Sequence, residues 1–137
     1  MDKNLVAEIF NRNFGSETFY HRDYYKNLIY TEGVMDFQKT LSATWFVDYV
    51  ISVMPTVIDV STNENDGFFV VTLTNKNKNW EFEIFREGYV GNDYNDHITV
   101  VKHICEDINL PIYDYKFFLI LSGTEQKIFT LLLPNEY

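Results

Sequence analysis

Four polar side chains, Glu17, His21, Arg22 and Asp48, are of the types from which acid–base chemistry or a buried ion pair is built. If the stretch after Ser16 is helical, Glu17 and His21 sit one turn apart. A carboxylate so placed orients an imidazole and raises its basicity. Asp48 lies in an apolar stretch beside Trp45, and a buried carboxylate needs a partner. The planar fork of Arg22 can meet it bidentately. One reading is a small enzyme using His21 with Glu17 or Asp48. The other is a structural polar cluster in which Arg22 and Asp48 hold a tyrosine-rich segment on a long helix. The expectation carried forward is the structural one, with no catalytic residue assigned.

His103 and Cys105 project from one face if their stretch is a strand. Two such side chains make half a zinc site. No second pair stands at a matching spacing; His97 is six residues upstream and Asp107 is the nearest carboxylate on that face. The expectation is therefore no metal and no cofactor. Cys105, the one cysteine, cannot form an internal disulfide and fits a reducing compartment as an inert thiol. No spacing matches a phosphate loop, a dinucleotide fingerprint or a helical His-Glu-x-x-His site.

Interaction chemistry is better represented. The chain holds 10 tyrosines, whose stiff, amphipathic rings suit contact surfaces. Tyr89 and Tyr94 fall in a turn, Gly88 to Asp96, with Asn92, Asp93 and Asp96, which reads as an exposed recognition loop. Those five residues, with Glu81 and Glu83 on the water-facing side of a preceding strand, are the candidate partner-binding set. The net charge is −9, and residues 51–100 carry eight acids against three bases. Such a surface repels phosphates, so direct nucleic-acid binding is not expected, and it suits a host protein with a basic surface. Solubility alone is the plainer account of the same charge. The acids are interspersed over 59–66, 81–87 and 93–96, a weak imitation of a phosphate backbone.

The elements that must position these residues follow from periodicity. The 137 residues fit one domain with a real core. Leu5, Val6, Ile9 and Phe10 mark a first helix, about 3–13, with Asp2 as cap and Phe14-Gly15 as exit. Ser16 caps a second short helix or turn, about 17–25. A third helical region, about 32–54, begins at the cap Thr31 and restarts at Ser42. Its strongest stripe is Ala43, Phe46, Val47, Val50, Ile51 and Met54, and Pro55 ends it. Strands follow at about 68–74, 80–86, 98–105, 115–121 and 127–133, with Gly123 at a positive-φ turn. Residues 97–108 also admit a helix, but Ile98-Thr99-Val100-Val101 weighs towards a strand. The expected fold is α+β, with N-terminal helices on one face of an antiparallel meander sheet. A polar start and the lack of a long apolar run point to a cytoplasmic chain that neither spans nor binds a membrane. Tyr137 is expected to pack back on the domain.

Four segments carry a resemblance: Phe14-Gly15-Ser16-Glu17-Thr18-Phe19-Tyr20-His21-Arg22, Tyr30-Thr31-Glu32-Gly33-Val34, Ala43-Thr44-Trp45-Phe46-Val47-Asp48, and Leu131-Leu132-Leu133-Pro134-Asn135-Glu136-Tyr137. Together they resemble a family of small bacterial and phage proteins classed as a domain of unknown function. The resemblance covers nearly everything after Asn13. It implies the order of elements and a mobile-element setting, and assigns no activity. The expected function is a small acidic protein-binding module. In its specific form it is an anti-defence inhibitor, anti-CRISPR-like, contacting a host nucleoprotein. A structural or oligomerising accessory domain is the alternative, and homo-oligomers are compatible with both.

Overall fold

The computed structural model describes residues 3–15, 17–61, 67–123 and 125–137. The expected caps Asp2 and Ser16, and most of the acidic stretch 59–66, lie outside the described residues. In chain order the elements are α1 (Lys3–Arg12), β1 (Phe19–Arg22), β2 (Tyr25–Thr31), α2 (Glu32–Thr40), α3 (Trp45–Val60), β3 (Phe68–Lys76), β4 (Asn79–Val90), β5 (Asp93–Cys105), β6 (Tyr115–Gly123) and β7 (Ile128–Leu132). A short 3-10 turn, Pro134–Glu136, follows.

The fold is α+β, with three helices against a seven-stranded sheet ordered β1-β2-β7-β6-β3-β4-β5. The sheet is mixed rather than a plain antiparallel meander. β3-β4-β5 is a meander, but β6 returns to the other side of β3, and β2 pairs parallel with β7 through Leu28↔Phe129 and Tyr30↔Leu131.

The expected helix over 17–25 is instead the hairpin β1–β2. Aromatic and β-branched residues dominate 19–31, and Leu28 and Tyr30 alternate inward onto β7. Tertiary pairing thus overrides the weak helical spacing of Tyr20 and Tyr24. Tyr20 stacks on Tyr30, with ring centres 5.8 Å apart. The stretch 97–108 is a strand up to Cys105.

Pro55 lies inside α3 and does not end it. The helix continues because Val57 is fully buried beyond the proline, and that burial offsets the missing backbone hydrogen bond. Nor does Ser42 start a helix: it sits in the turn between α2 and α3 with φ 54. Thr31 is the N-cap of α2, accepting from the Val34 N–H at 3.4 Å. Gly123 ends β6 opposite Ile128, and Lys127 takes the positive φ expected of it.

All three helices lie on one face. Phe69, Val71 and Leu73 of β3 and Tyr115, Phe117 and Leu119 of β6 point into the core. Phe10 of α1, Phe37 of α2 and Phe46 of α3 all meet Phe117, with ring centres 5.9, 5.1 and 4.6 Å away. A bidentate pair, Arg12 to Asp36 at 2.6 and 2.7 Å, ties α1 to α2. Among the described residues no helix is long and apolar enough to cross a membrane.

Candidate functional site

The recognition loop expected at Gly88 to Asp96 is a two-stranded arm. β4 and β5 stay paired to their ends, with Tyr89 opposite Tyr94 and Val90 opposite Asp93. Gly91 takes φ +65 at the first position of a two-residue turn with Asn92, a conformation that suits glycine in a tight hairpin. Two register shifts, between Ile84 and Phe85 and between Arg86 and Gly88, disturb the pairing where the arm leaves the body of the sheet. Bulges of this kind bend and twist a hairpin.

The arm exposes Tyr89, Val90 and Tyr94, at 69%, 61% and 55% of their surface. The tyrosine rings meet edge to face at 5.4 Å, and the Tyr94 hydroxyl donates to Glu87. That hydrogen bond, with some burial, raises the Tyr94 phenol above its ordinary range. Asn92, Asp93 and Asp96 are exposed, and residues 87–96 contain three acids and no lysine or arginine.

Glu81 and Glu83 do not share that surface. They leave the helix-covered face, as alternation requires, but are 9% and 8% exposed rather than water-facing. The reason is cross-strand pairing. Lys76 and Lys102 reach Glu81 at 3.0 and 3.4 Å. His97 and Thr99 meet the Glu83 carboxylate at 2.8 and 2.5 Å. His97 also stacks on Phe85, with ring centres 3.9 Å apart. Burial pushes the Glu83 carboxyl up, but the bonds from Thr99 and His97 outweigh it and hold the group below its ordinary range.

The four-residue polar cluster divides. Arg22 meets Asp48 through Nε at 3.0 Å, a single contact rather than a bidentate one. The rest of its guanidinium donates to the Tyr30 hydroxyl (2.7 Å), Gln38 Oε1 (2.9 Å) and the Thr44 carbonyl (2.9 Å). Asp48 is half-exposed and also accepts from the Tyr24 hydroxyl. The Tyr24 bond, then Arg22, holds its carboxyl low against some burial. His21 lies apart. In a strand, neighbours point to opposite faces, so Tyr20 and Arg22 share one side and His21 takes the other. Its Nδ1 lies 3.0 Å from the Arg22 carbonyl oxygen. Glu17 is exposed ahead of β1, and the structure brings neither Glu17 nor Asp48 to His21.

His103 and Cys105 do share a face, the one towards α3. Both meet the Tyr49 hydroxyl: His103 Nδ1 lies 2.8 Å from it, and the Cys105 thiol donates at 3.4 Å. Burial and the Cys105 bond raise the Tyr49 phenol well above its ordinary range. A shallow cleft of about 270 Å³ opens beside them, lined by Trp45, Tyr49, Ile108 and the acids Glu106 and Asp107. Among the described residues no three His, Cys, Asp or Glu side chains are grouped to hold a metal ion. Tyr49 was not visible as part of this group from sequence, because only the strand register sets it opposite His103.

A further polar site lies where Thr31, Gly33 and the last turn meet. The Glu136 carboxylate accepts from Thr31 Oγ1 at 2.6 Å, the Leu133 N–H at 3.0 Å and the Gly33 N–H at 3.2 Å. It thereby sits at the N-terminus of α2, where backbone donors and the helix dipole favour an anion. Asn135 donates to the Phe10 carbonyl at 2.8 Å.

These contacts join the quoted segments in pairs: Arg22 with Thr44 and Asp48, and Thr31 and Gly33 with Leu133 and Glu136. A family model described as a family of unknown function, DUF6876, matches residues 5–137. The chain belongs to the DUF6876 family. No curated protein and no solved structure matches the chain. In this DUF6876 protein the polar contacts between segments tie the sheet edge to the helix starts, and the arm presents exposed aromatic and acidic side chains.

Proposed function

We propose that this protein is a small acidic binding module acting by direct contact on a host protein with a basic surface, through the β4–β5 arm. The observation that carries the reading is the arm's composition in place. Exposed Tyr89, Val90 and Tyr94 supply stiff apolar contact, and Glu87, Asp93 and Asp96 lie in the same arm, with Arg86 at its base as the one nearby cation. Aromatic anchors within a rim of one charge sign suit a desolvated hot spot reached by electrostatic steering. In its specific form the module is a phage or mobile-element inhibitor of a host defence nucleoprotein, working in the cytoplasm. That form draws on the mobile-element setting that the quoted segments imply.

The test is capture of partners from host lysate by tagged protein at low and high salt, beside an arm variant carrying Tyr89→Ser, Asp93→Asn, Tyr94→Ser and Asp96→Asn. Capture of a nucleic-acid-binding protein that weakens with salt and is lost in the variant is the expected result. Equal capture by both proteins removes the arm from the account.

A second reading, a self-associating accessory domain, is favoured by a different observation: the uncovered face of the sheet.

A further inference from the structure

The helices cover one face of the sheet, and no described helix or strand lies over the other. In an antiparallel sheet with one wet face, strands alternate apolar and polar. β3 and β6 break that rule. Phe68-Phe69-Val70-Val71 and Phe117-Phe118-Leu119-Ile120-Leu121 are unbroken apolar runs, the pattern of strands buried on both sides. Their outward members line up by register, with Phe68 opposite Ile120 and Val70 opposite both Phe118 and Phe85. The row continues across Leu132 to Phe19 at the edge. The Phe68 and Phe118 rings meet at a tilt with centres 5.0 Å apart, and Tyr137 meets both edge to face at 5.5 and 5.7 Å while 76% of it stays exposed. Tyr137 thus packs back at the margin without covering the row.

The charges around this row decide what fits it. Over the body of the sheet, the outward rows of β3, β4, β5 and β6 carry Lys76, Lys102 and Lys116 against Glu81 and Glu83. Both glutamates are spent in pairs within the sheet, and Lys116 lies over the Phe118 ring at 5.5 Å. Glu136, at the margin, is held by its three donors. The face is therefore close to neutral in a chain whose net charge is −9. Two copies repel each other through most of their surfaces, but not through this one. A basic partner, by contrast, gains nothing from a neutral face and is drawn to the arm.

We infer that the open face is the contact between two copies of this chain, packed sheet on sheet about a two-fold axis. Such packing interdigitates the two inner faces roughly 10 Å apart. In a two-fold contact each patch meets its own copy, so a neutral apolar row is self-complementary. Phe68, Phe118, Ile120 and Tyr137 form its centre. The dimer leaves both arms free, because they leave the sheet beyond the bulges; it neither requires nor replaces partner binding.

The test is sedimentation velocity of the full chain from about 1 to 300 μM, a range spanning transient to stable homodimers. The expected result is a reversible dimer that raised salt leaves intact, since screening relieves repulsion between two acidic bodies. Phe118→Glu abolishes it while circular dichroism is unchanged. Phe68→Glu changes a side chain that is already 38% exposed at the start of β3, so it serves if Phe118→Glu folds poorly. It sets an unpaired carboxylate into the apolar row of each copy and weakens the dimer roughly tenfold or more. A monomer throughout the range overturns the inference, and so does a dimer that both substitutions leave intact. Loss of the dimer with partner capture retained separates this contact from the arm's.

Discussion

Gly33→Ala adds one carbon at a position where Glu136 and Leu133 already fill the space. A Cβ on Gly33 would stand 2.3 Å from Glu136 Oε1, 2.7 Å from Glu136 Cδ and 2.8 Å from Leu133 Cδ1. The first two atoms end a flexible side chain, so the backbone need not move; Glu136 must leave. Leaving breaks its bonds to Thr31, Gly33 and Leu133. A hydrogen bond to a charged group contributes about 1.5–3 kcal/mol, and partial exposure lets water replace some of that. Against the loss, alanine is favoured over glycine within a helix by up to about 1 kcal/mol. The net expectation is destabilisation by about 1–2 kcal/mol, a fall in Tm of roughly 3–8 °C for a chain of this size. The assay is urea and thermal unfolding of four proteins: wild type, Gly33→Ala, Glu136→Ala and the double variant. In the Glu136→Ala background only the Leu133 Cδ1 contact remains, so Gly33→Ala should cost clearly less than in wild type, and the cycle isolates the coupling with Glu136. Equal costs of Gly33→Ala in both backgrounds would show that the added carbon does not act by displacing Glu136.

Other substitutions separate the roles of the remaining polar groups. Arg22→Ala should cost about 2 kcal/mol in urea unfolding, because Gln38, 1% exposed, and Tyr30 lose their donor. Asp48→Ala should cost under about 1 kcal/mol, since Asp48 is half in water; the reverse order would show that the ion pair and not the buried donor matters. Glu83 titrates below its ordinary value in the fold, so its stabilisation is complete above the unfolded carboxylate value of about 4.3 and fades as pH falls through the folded one. The stability of wild type should therefore drop below about pH 4 more steeply than that of Glu83→Gln, and parallel profiles count against the ladder of Thr99 and His97. Tyr89→Ser with Tyr94→Ser should move Tm by little, within roughly 0.5 kcal/mol, because both rings are exposed.

The sequence was most legible where one face of an element is apolar over several turns or residues. The stripe of α3, the alternation in β4 and the β-branched run in β5 all lie on the elements expected of them. It misled where local spacing and tertiary pairing disagree. Tyr20 and Tyr24 fit a helix turn, but Leu28 and Tyr30 complete a sheet through β7, about one hundred residues later in the chain. No local pattern announces a parallel partner so far away. The same distance hid the Glu136 site, since Gly33 is an ordinary glycine until the last turn arrives beside it. Glu81 and Glu83 alternate as water-facing residues should, and only the neighbours across β3 and β5 reveal that lysines and His97 enclose them. The acidic arm was legible as a surface from composition, but not as a hairpin, because its tight turn at Gly91-Asn92 lies within a longer polar stretch.

The parallel pairing of β2 with β7 has a consequence for synthesis. Residues 25–31 have β1 as a local neighbour but acquire their second one only after residues 128–132 exist. A nascent chain can assemble the β3–β4–β5 meander early, since those contacts are local. The β1–β2 hairpin joins the rest of the sheet only once β7 has left the ribosome. Loss of the last ten residues therefore removes more than a tail: it takes away the strand on which the opening hairpin is laid and the carboxylate that starts α2.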